Sequence, residues 1–376
     1  MNKIGIITYY YNSINYGGVL QAYALVKVLE KNNVVVEQIS YNSIGEQINN
    51  KGNNSIKYSI KKSIKHLIAT YLNYILENRY KSFCRFRDEI PHTSKVYNDS
   101  NISVISEYYD IYITGSDQVW NTTWYRPAFF LDFVPKNKKK VSYAASIGKK
   151  DLSEKESEIF KSSLKNFSAI SVREQDSVNL LSSLTNGEVE WVLDPTLLLD
   201  KSEWDRLAPA PLVNKKYVFC YFIGDGYNER KLAKKYAKEH DLCLVVLSHP
   251  AGFNYSDLGF GDKKMYDAGP ADFVSLIKYA EYIFTDSFHA CVFSSIYHKQ
   301  FFVFPRNGKK AMGNRIYSLL SLFNCVDHFC DTDEKQCMEY ITNLQLISYK
   351  DLGKYIDMKN RSLRFVKEKI LNAPLN

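Results

Sequence analysis

Three strand-to-loop junctions carry the side chains best suited to chemistry. The first is Phe284-Thr285-Asp286-Ser287-Phe288-His289-Ala290, an apolar run ending in residues that can cap a helix, with His289 in that helix's first turn. Free amides and the dipole at a helix N-terminus make a ready anion site, suited to phosphate. Ser287 and His289 would lie against such an anion, and His289 could also serve as a general acid. A capping residue beside a His that merely packs is the plainer alternative. The second junction ends Ser171-Val172-Arg173-Glu174, where Arg173 closes a strand. Its planar fork can hold two oxygens of a carboxylate or phosphate, unless Glu174 or Asp176 claims it as a surface ion pair. The third is Thr114-Gly115-Ser116-Asp117-Gln118-Val119-Trp120-Asn121. Asp117 there could act as general base on a sugar hydroxyl, with the Trp120 indole against a sugar face and Asn121 nearby. A plain Asx-turn is the alternative.

Two further loops are candidates of a weaker kind. Asn15-Tyr16-Gly17-Gly18 lacks the G-x-G-x-x-G spacing of a dinucleotide site, but its glycines would let backbone approach a ligand closely. Arg306, Lys309, Lys310 and Arg315 follow an apolar run at 300–304 and either line the same cleft or form a solvated loop. His249 also follows a strand pattern. No H-x-x-x-H or paired-Cys spacing supports a metal site.

The elements that must position these residues alternate. Residues 3–9 read as a buried strand, a helix follows the glycine loop, and 34–40 is the next strand, a β-α-β unit with a parallel sheet. Strands are expected at 109–114, 140–147 and 169–173, with helices at 153–165 and 174–184. After an Ala-Pro-Ala-Pro linker at 208–211 the pattern resumes. Strands are expected at 217–223, 242–248, 282–285 and 300–304, and helices at 227–239, 270–280, 288–298, 315–323 and 350–371. This predicts an α/β protein of two doubly wound, Rossmann-like domains facing a cleft, with ligands beyond the carboxyl ends of the strands. The expected divisions are 1–205, with a basic helical insertion at about 51–90, then 212–345, then a C-terminal helix in 346–376 that packs back across both.

Composition narrows the class. Hydrophobic residues at 45% and charged residues at 24% of 376 exclude a disordered or fibrous chain. The whole net charge of +8 sits in residues 51–87, where nine Lys and Arg face a single acid, Glu77. A local basic surface of this kind argues against nucleic acid as partner. The helical stripe within it packs on the first domain or rests on an anionic membrane. No apolar run is long enough to span a bilayer, the N-terminus lacks a signal-peptide pattern, and seven cysteines form no C-x-x-C pair. A cytoplasmic protein with reduced thiols, membrane-peripheral at most, is expected.

Taken in order, Asn15-Tyr16-Gly17-Gly18-Val19-Leu20-Gln21-Ala22, Gly115 to Asn121, Ser171 to Glu174, Leu193-Asp194-Pro195-Thr196 and Thr285 to His289 resemble the polysaccharide pyruvyl transferase family over nearly the whole chain. The resemblance implies a GT-B-like fold, phosphoenolpyruvate as donor substrate with no cofactor, and a hydroxyl pair of a glycan or lipid-linked oligosaccharide as acceptor. The product would be a pyruvate ketal on a cell-surface or capsular polysaccharide precursor. On that reading Asp117 and His289 are catalytic. Arg173, Ser287, His289, Arg306, Lys310 and Arg315 hold the donor, and Asn15, Tyr16, Gly17, Gly18, Trp120 and Asn121 the acceptor. Many family members carry Arg-x-His where this chain has Ser287-Phe288-His289, so a substitute guanidinium or ammonium is expected from residues 306–315. A GT-B glycosyltransferase using a nucleotide sugar and a non-catalytic subunit of polysaccharide biosynthesis are the rival readings.

Overall fold

The computed structural model describes residues 2–43, 61–208, 210–249, 254–306, 313–330 and 334–372. Short apolar runs separated by amphipathic segments build two parallel sheets. The first contains β1 (Lys3–Ile7), β2 (Val35–Gln38), β3 (Ile111–Thr114), β4 (Lys139–Ala145), β5 (Ala169–Val172) and β6 (Val189–Trp191), in the order β2-β1-β3-β4-β5-β6. The second contains β7 (Tyr217–Tyr221), β8 (Cys243–Leu247), β9 (Lys263–Met265), β10 (Tyr282–Thr285) and β11 (Gln300–Val303), in the order β11-β10-β7-β8-β9. Central strands such as β3 and β7 are buried along their full length, because helices cover both faces of each sheet.

The covering helices of the first sheet are α1 (Tyr16–Glu30), α2 (Lys61–Asp88), α3 (Glu154–Leu164), α4 (Gln175–Ser182) and α5 (Lys201–Leu207). Those of the second are α6 (Tyr227–Glu239), α7 (Pro270–Lys278), α8 (Phe288–Ile296), α9 (Gly313–Leu322) and α10 (Glu334–Asn343), while α11 (Gly353–Phe365) crosses back to the first sheet, its Phe365 ring centroid 6.2 Å from that of Tyr143 in β4. Three elements have no counterpart in the sequence-based expectation. β6 and β9 are three-residue edge strands with little apolar signal, and α10 has a mixed polar pattern. In both sheets the strand order reverses beside the strand that begins the unit, at β1/β3 and at β7/β10, and ligand crevices form at such points.

One apolar core runs from the first sheet into the second. Tyr16 stands at its centre, stacked on Phe273 with ring centroids 5.0 Å apart and tilted against Phe83 at 4.9 Å. The α2 helix adds Arg79, fully buried, which donates to the carbonyls of Tyr266 and His249 at 2.6 and 2.7 Å. The first domain is thus bolted to the carboxyl end of β8 in the second. At the C-terminus, the Leu193 amide donates to Ser362 Oγ of α11 at 2.9 Å, which fixes that helix under the loop following β6. Residues 51–60 of the basic segment, like Lys309 and Lys310, lie outside the described residues. Among the described residues no helix is long and apolar enough to cross a membrane.

Candidate active site

The carboxyl ends of the first sheet's strands meet the N-terminus of α8 from the second domain. β3 ends in Gly115, whose φ of +107° and the 2.3 Å between its would-be Cβ and the Tyr143 carbonyl leave room for no side chain. The chain then turns through Asp117, also at positive φ (70°), where Asp is tolerated better than most residues. The Ser146 amide holds the Asp117 carbonyl at 2.9 Å, and the carboxylate is buried in the site.

Arg173 follows β5 and is enclosed by acids. Its Nη1 donates to Asp194 Oδ2 at 3.1 Å, its Nε to Glu174 Oε1 at 3.3 Å, and its Nη2 lies 3.8 Å from Asp117 Oδ1. Burial opposes the charge, but Glu174, Asp194 and Asp117 outweigh it and raise the guanidinium's pKa. The expectation of a two-pronged fork for the donor is corrected here: two of its nitrogens are committed to carboxylates. Only Nη2 is left without a hydrogen bond.

Asp194 lies in one of the motifs that carry the family resemblance, but the sequence assigns it no role. It caps the 3-10 turn Pro195–Leu197, with Oδ1 accepting from the Thr196 amide and hydroxyl at 3.1 and 2.7 Å. Its Oδ2 accepts from Ser116 Oγ and Arg173 Nη1, each at 3.1 Å. His289 crosses from the second domain to bring Nε2 within 3.5 Å of that same Oδ2. Burial would raise the Asp194 pKa, yet His289 and Arg173 hold it far below the carboxylate range. The Asp-Pro-Thr run after a strand was the available signal. At 3.5 Å the His289 contact is too long to commit it as a hydrogen-bond donor, and the buried Nε2 has no hydrogen-bond partner.

Two arginines complete the site. Arg173 and Arg315 both lie against the Phe288 ring, their guanidinium carbons 4.7 and 5.7 Å from its centroid. Arg315, at the start of α9, has no ion-pair or hydrogen-bond partner among the described residues. Burial, reinforced by the charges of Arg173 and Arg306, pushes its pKa down. Arg306 instead has its Nε 3.4 Å from Asp286 Oδ2. Ser287 caps α8 through an Oγ that accepts from the Ala290 amide at 3.5 Å. The amides of Phe288 and His289, first in that helix, have no intrahelical acceptor.

Several expected acceptor residues do not face the cleft. Trp120 is wholly buried, with Nε1 donating to the Phe129 carbonyl at 3.2 Å, so its ring cannot meet a sugar. Tyr16 is buried between the domains and donates to the Ala268 carbonyl at 2.8 Å. Asn121 is engaged with Gln118 Oε1 at 2.8 Å and the Thr123 amide at 3.0 Å. The space at Gly17 is filled by His289, and Gly18 lies against the Tyr9 carbonyl, so neither brings backbone to a ligand. Asn15 is exposed and caps α1 by accepting from the Gly18 amide at 3.3 Å. His249 is half-buried after β8, its carbonyl held by Arg79 and its imidazole pKa lowered by burial. Among the described residues no group of three or more His, Cys, Asp or Glu is placed to hold a metal ion.

No curated protein matches the chain. Among solved structures it is similar to the S. aureus MnaA–UDP co-structure, with a TM-score of 0.53, 15% identity and 100% of each chain covered. UDP-GlcNAc 2-epimerase from Neisseria meningitidis bound to UDP-GlcNAc gives 0.50 at 12% identity, over 99% of this chain and 100% of that one. Likeness at that level speaks to the fold, a GT-B-like pair of Rossmann domains facing one cleft. The sequence says more. Residues 15–308, which contain every strand end of the cluster around Asp194, match the polysaccharide pyruvyl transferase family, and the chain belongs to that family.

Proposed function

We propose that the protein transfers the pyruvyl group of phosphoenolpyruvate to two hydroxyls of a glycan, closing a pyruvate ketal. The observation that carries this reading is Arg315, a guanidinium with no ion pair within contact distance and no hydrogen bond among the described residues, set beside Arg173 and the first turn of α8. A guanidinium without a hydrogen-bond partner gains most from a small anion, and phosphoenolpyruvate brings a phosphate and a carboxylate on three carbons. Arg315 stands in for the arginine that Ser287 replaces, Arg173 Nη2 offers a second donor, and the Phe288 and His289 amides offer more.

In this mechanism His289 gives a proton to the methylene carbon, and C2 acquires oxocarbenium character. A sugar hydroxyl attacks C2 while Asp117 takes its proton. Phosphate then departs with the C2–O electron pair, the second hydroxyl adds at C2, and its proton leaves with the phosphate. The acceptor lies against Trp124, exposed at 57% where Trp120 is hidden, and joined through its carbonyl to Tyr9 Oη at 3.3 Å. A glycan carried on a lipid would bring its anionic surroundings to the basic helix α2, which is where peripheral membrane contact belongs.

Calorimetric titration with phosphoenolpyruvate, followed by mass spectrometry of acceptor oligosaccharides, tests the reading. Donor binding that weakens at least tenfold in Arg315→Ala, and a ketal-bearing product, support it. Binding of a nucleotide sugar with none of phosphoenolpyruvate overturns it.

A further inference from the structure

Asp286 belongs to the same strand-end run as His289, but its side chain points elsewhere. Ser287 caps α8, which leaves the Asp286 carboxylate turned across the second sheet's crevice to the loop after β7. There Oδ1 accepts from the Ile223 amide at 2.8 Å and Oδ2 from the Gly224 amide at 2.6 Å. The side chain is 4% exposed, and Arg306 Nε approaches Oδ2 at 3.4 Å. A Cβ on Gly224 would come within 3.0 Å of that oxygen, so glycine is what lets loop and carboxylate meet.

The place matters more than the contacts. From β7 the chain enters α6, whose apolar residues Leu232, Ala233 and Tyr236 pack on one face of the sheet. From β10 it enters α8, whose Ala290, Cys291 and Val292 pack on the other. The gap between these two diverging connections is the switch point of a doubly wound sheet, the position at which the phosphates of a nucleotide reach the backbone. Successive amides of a strand-end loop form a concave anion receptor. Here both amides, and the guanidinium beside them, already have an anion, and it is part of the chain.

We infer that Asp286 is a specificity residue: its carboxylate occupies the anion receptor of the second domain and so excludes diphosphate ligands from the cleft. A diphosphate entering there would meet a fixed negative charge and would find the Ile223 and Gly224 amides taken. Rejection by an opposing like charge is a recognised route to selectivity. Removal of the carboxylate leaves two free amides and Arg306 facing one small volume, which is an anion site in its own right. The identity of the donor does not enter this argument.

The test is a gain of binding, which a purely structural role for Asp286 would not produce. Inorganic pyrophosphate and UDP are titrated calorimetrically into the full-length wild type, Asp286→Ser and Asp286→Asn, with circular dichroism confirming the fold of each. Asp286→Ser is expected to bind pyrophosphate and UDP at least tenfold more tightly than wild type. Asp286→Asn, which keeps the shape but not the charge, should show a smaller gain and decides the matter if the serine variant does not fold. Adding Arg306→Ala to Asp286→Ser should abolish the gain. Wild-type protein that binds either ligand as tightly as the variants overturns the inference, as do folded variants that bind no better than wild type.

Discussion

Gly17 and His289, from opposite domains, occupy one space: a Cβ on Gly17 would lie 1.8 Å from His289 Nδ1. The imidazole can reach Asp194 only because the second residue of α1 has no side chain. Gly17→Ala should therefore displace His289 and lower kcat by about 10²-fold, the lower end of what a positioned acid–base group contributes. In a His289→Ala background the clash is gone, and the same substitution should cost less than about threefold, as expected when one residue acts through the other. Steady-state kinetics on the four proteins of that cycle measures the coupling. Equal losses in both backgrounds would show that Gly17 acts without His289.

Arg173 and Arg315 flank the same phenyl ring but should respond oppositely to truncation. Arg173→Ala strands Asp117, Glu174 and Asp194 together in a buried place and should cost about 3–5 kcal/mol of stability. Arg315→Ala removes a cation whose charge burial and the neighbouring Arg173 and Arg306 oppose more than Asp117 and Glu174 support it, so the denaturation midpoint should stay level or rise while donor affinity falls. Urea unfolding alongside calorimetry separates the two. A large loss of stability in Arg315→Ala would make it a structural residue.

These two arginines show how far the sequence could be read. Strand ends are legible, because a short apolar run followed by Gly, Asp or Arg marks where a parallel strand leaves the sheet. Asp117, Arg173, Asp286 and His289 all stand at such junctions. What sits opposite each of them depends on which strands become neighbours in the sheet and on how the two domains meet, neither of which a local pattern encodes. Hence Arg173 was assigned to a ligand although three acids surround it, and Asp194, whose partners come from β3, β5 and α8, drew no role. The choice between Trp120 and Trp124 is illegible for a different reason. The short loop and 3-10 turn that carry them have no sustained hydrophobic period, so nothing in the sequence says which indole turns inward. The edge strands β6 and β9 are three residues each, too short to show alternation.

Asp194 makes a prediction in acid. Its pKa lies below the ordinary carboxylate value because His289 and Arg173 outweigh the cost of burial. A carboxylate with a folded-state pKa below its unfolded value contributes stability above the unfolded pKa, about 3.9. That contribution is lost as pH falls through the lower folded value. Unfolding free energy should thus decline below about pH 4, and Asp194→Asn should flatten that limb while lowering stability at neutral pH. Urea midpoints across pH 2.5 to 7, as a range spanning the ~3.9 reference, read both. An acid limb of the same slope in Asp194→Asn would assign it to other carboxylates.

The tryptophan pair separates packing from recognition. Trp120 is stacked on Phe130, centroids 5.8 Å apart, and edge-on to Phe160 at 6.0 Å, with no exposed surface. Trp120→Ala opens a large cavity in a close-packed core and should cost about 3–5 kcal/mol. Trp124 is 57% exposed, so its truncation should leave stability within about 0.5 kcal/mol of wild type. If the acceptor sugar rests on that indole, loss of the stacking surface should raise the acceptor KM by about five- to tenfold, the scale of a single aromatic contact. The donor KM should not move, because Trp124 stands on the first domain, away from Arg315 and α8. A change in donor KM with no change in acceptor KM would remove Trp124 from the acceptor side and leave that surface without an aromatic platform.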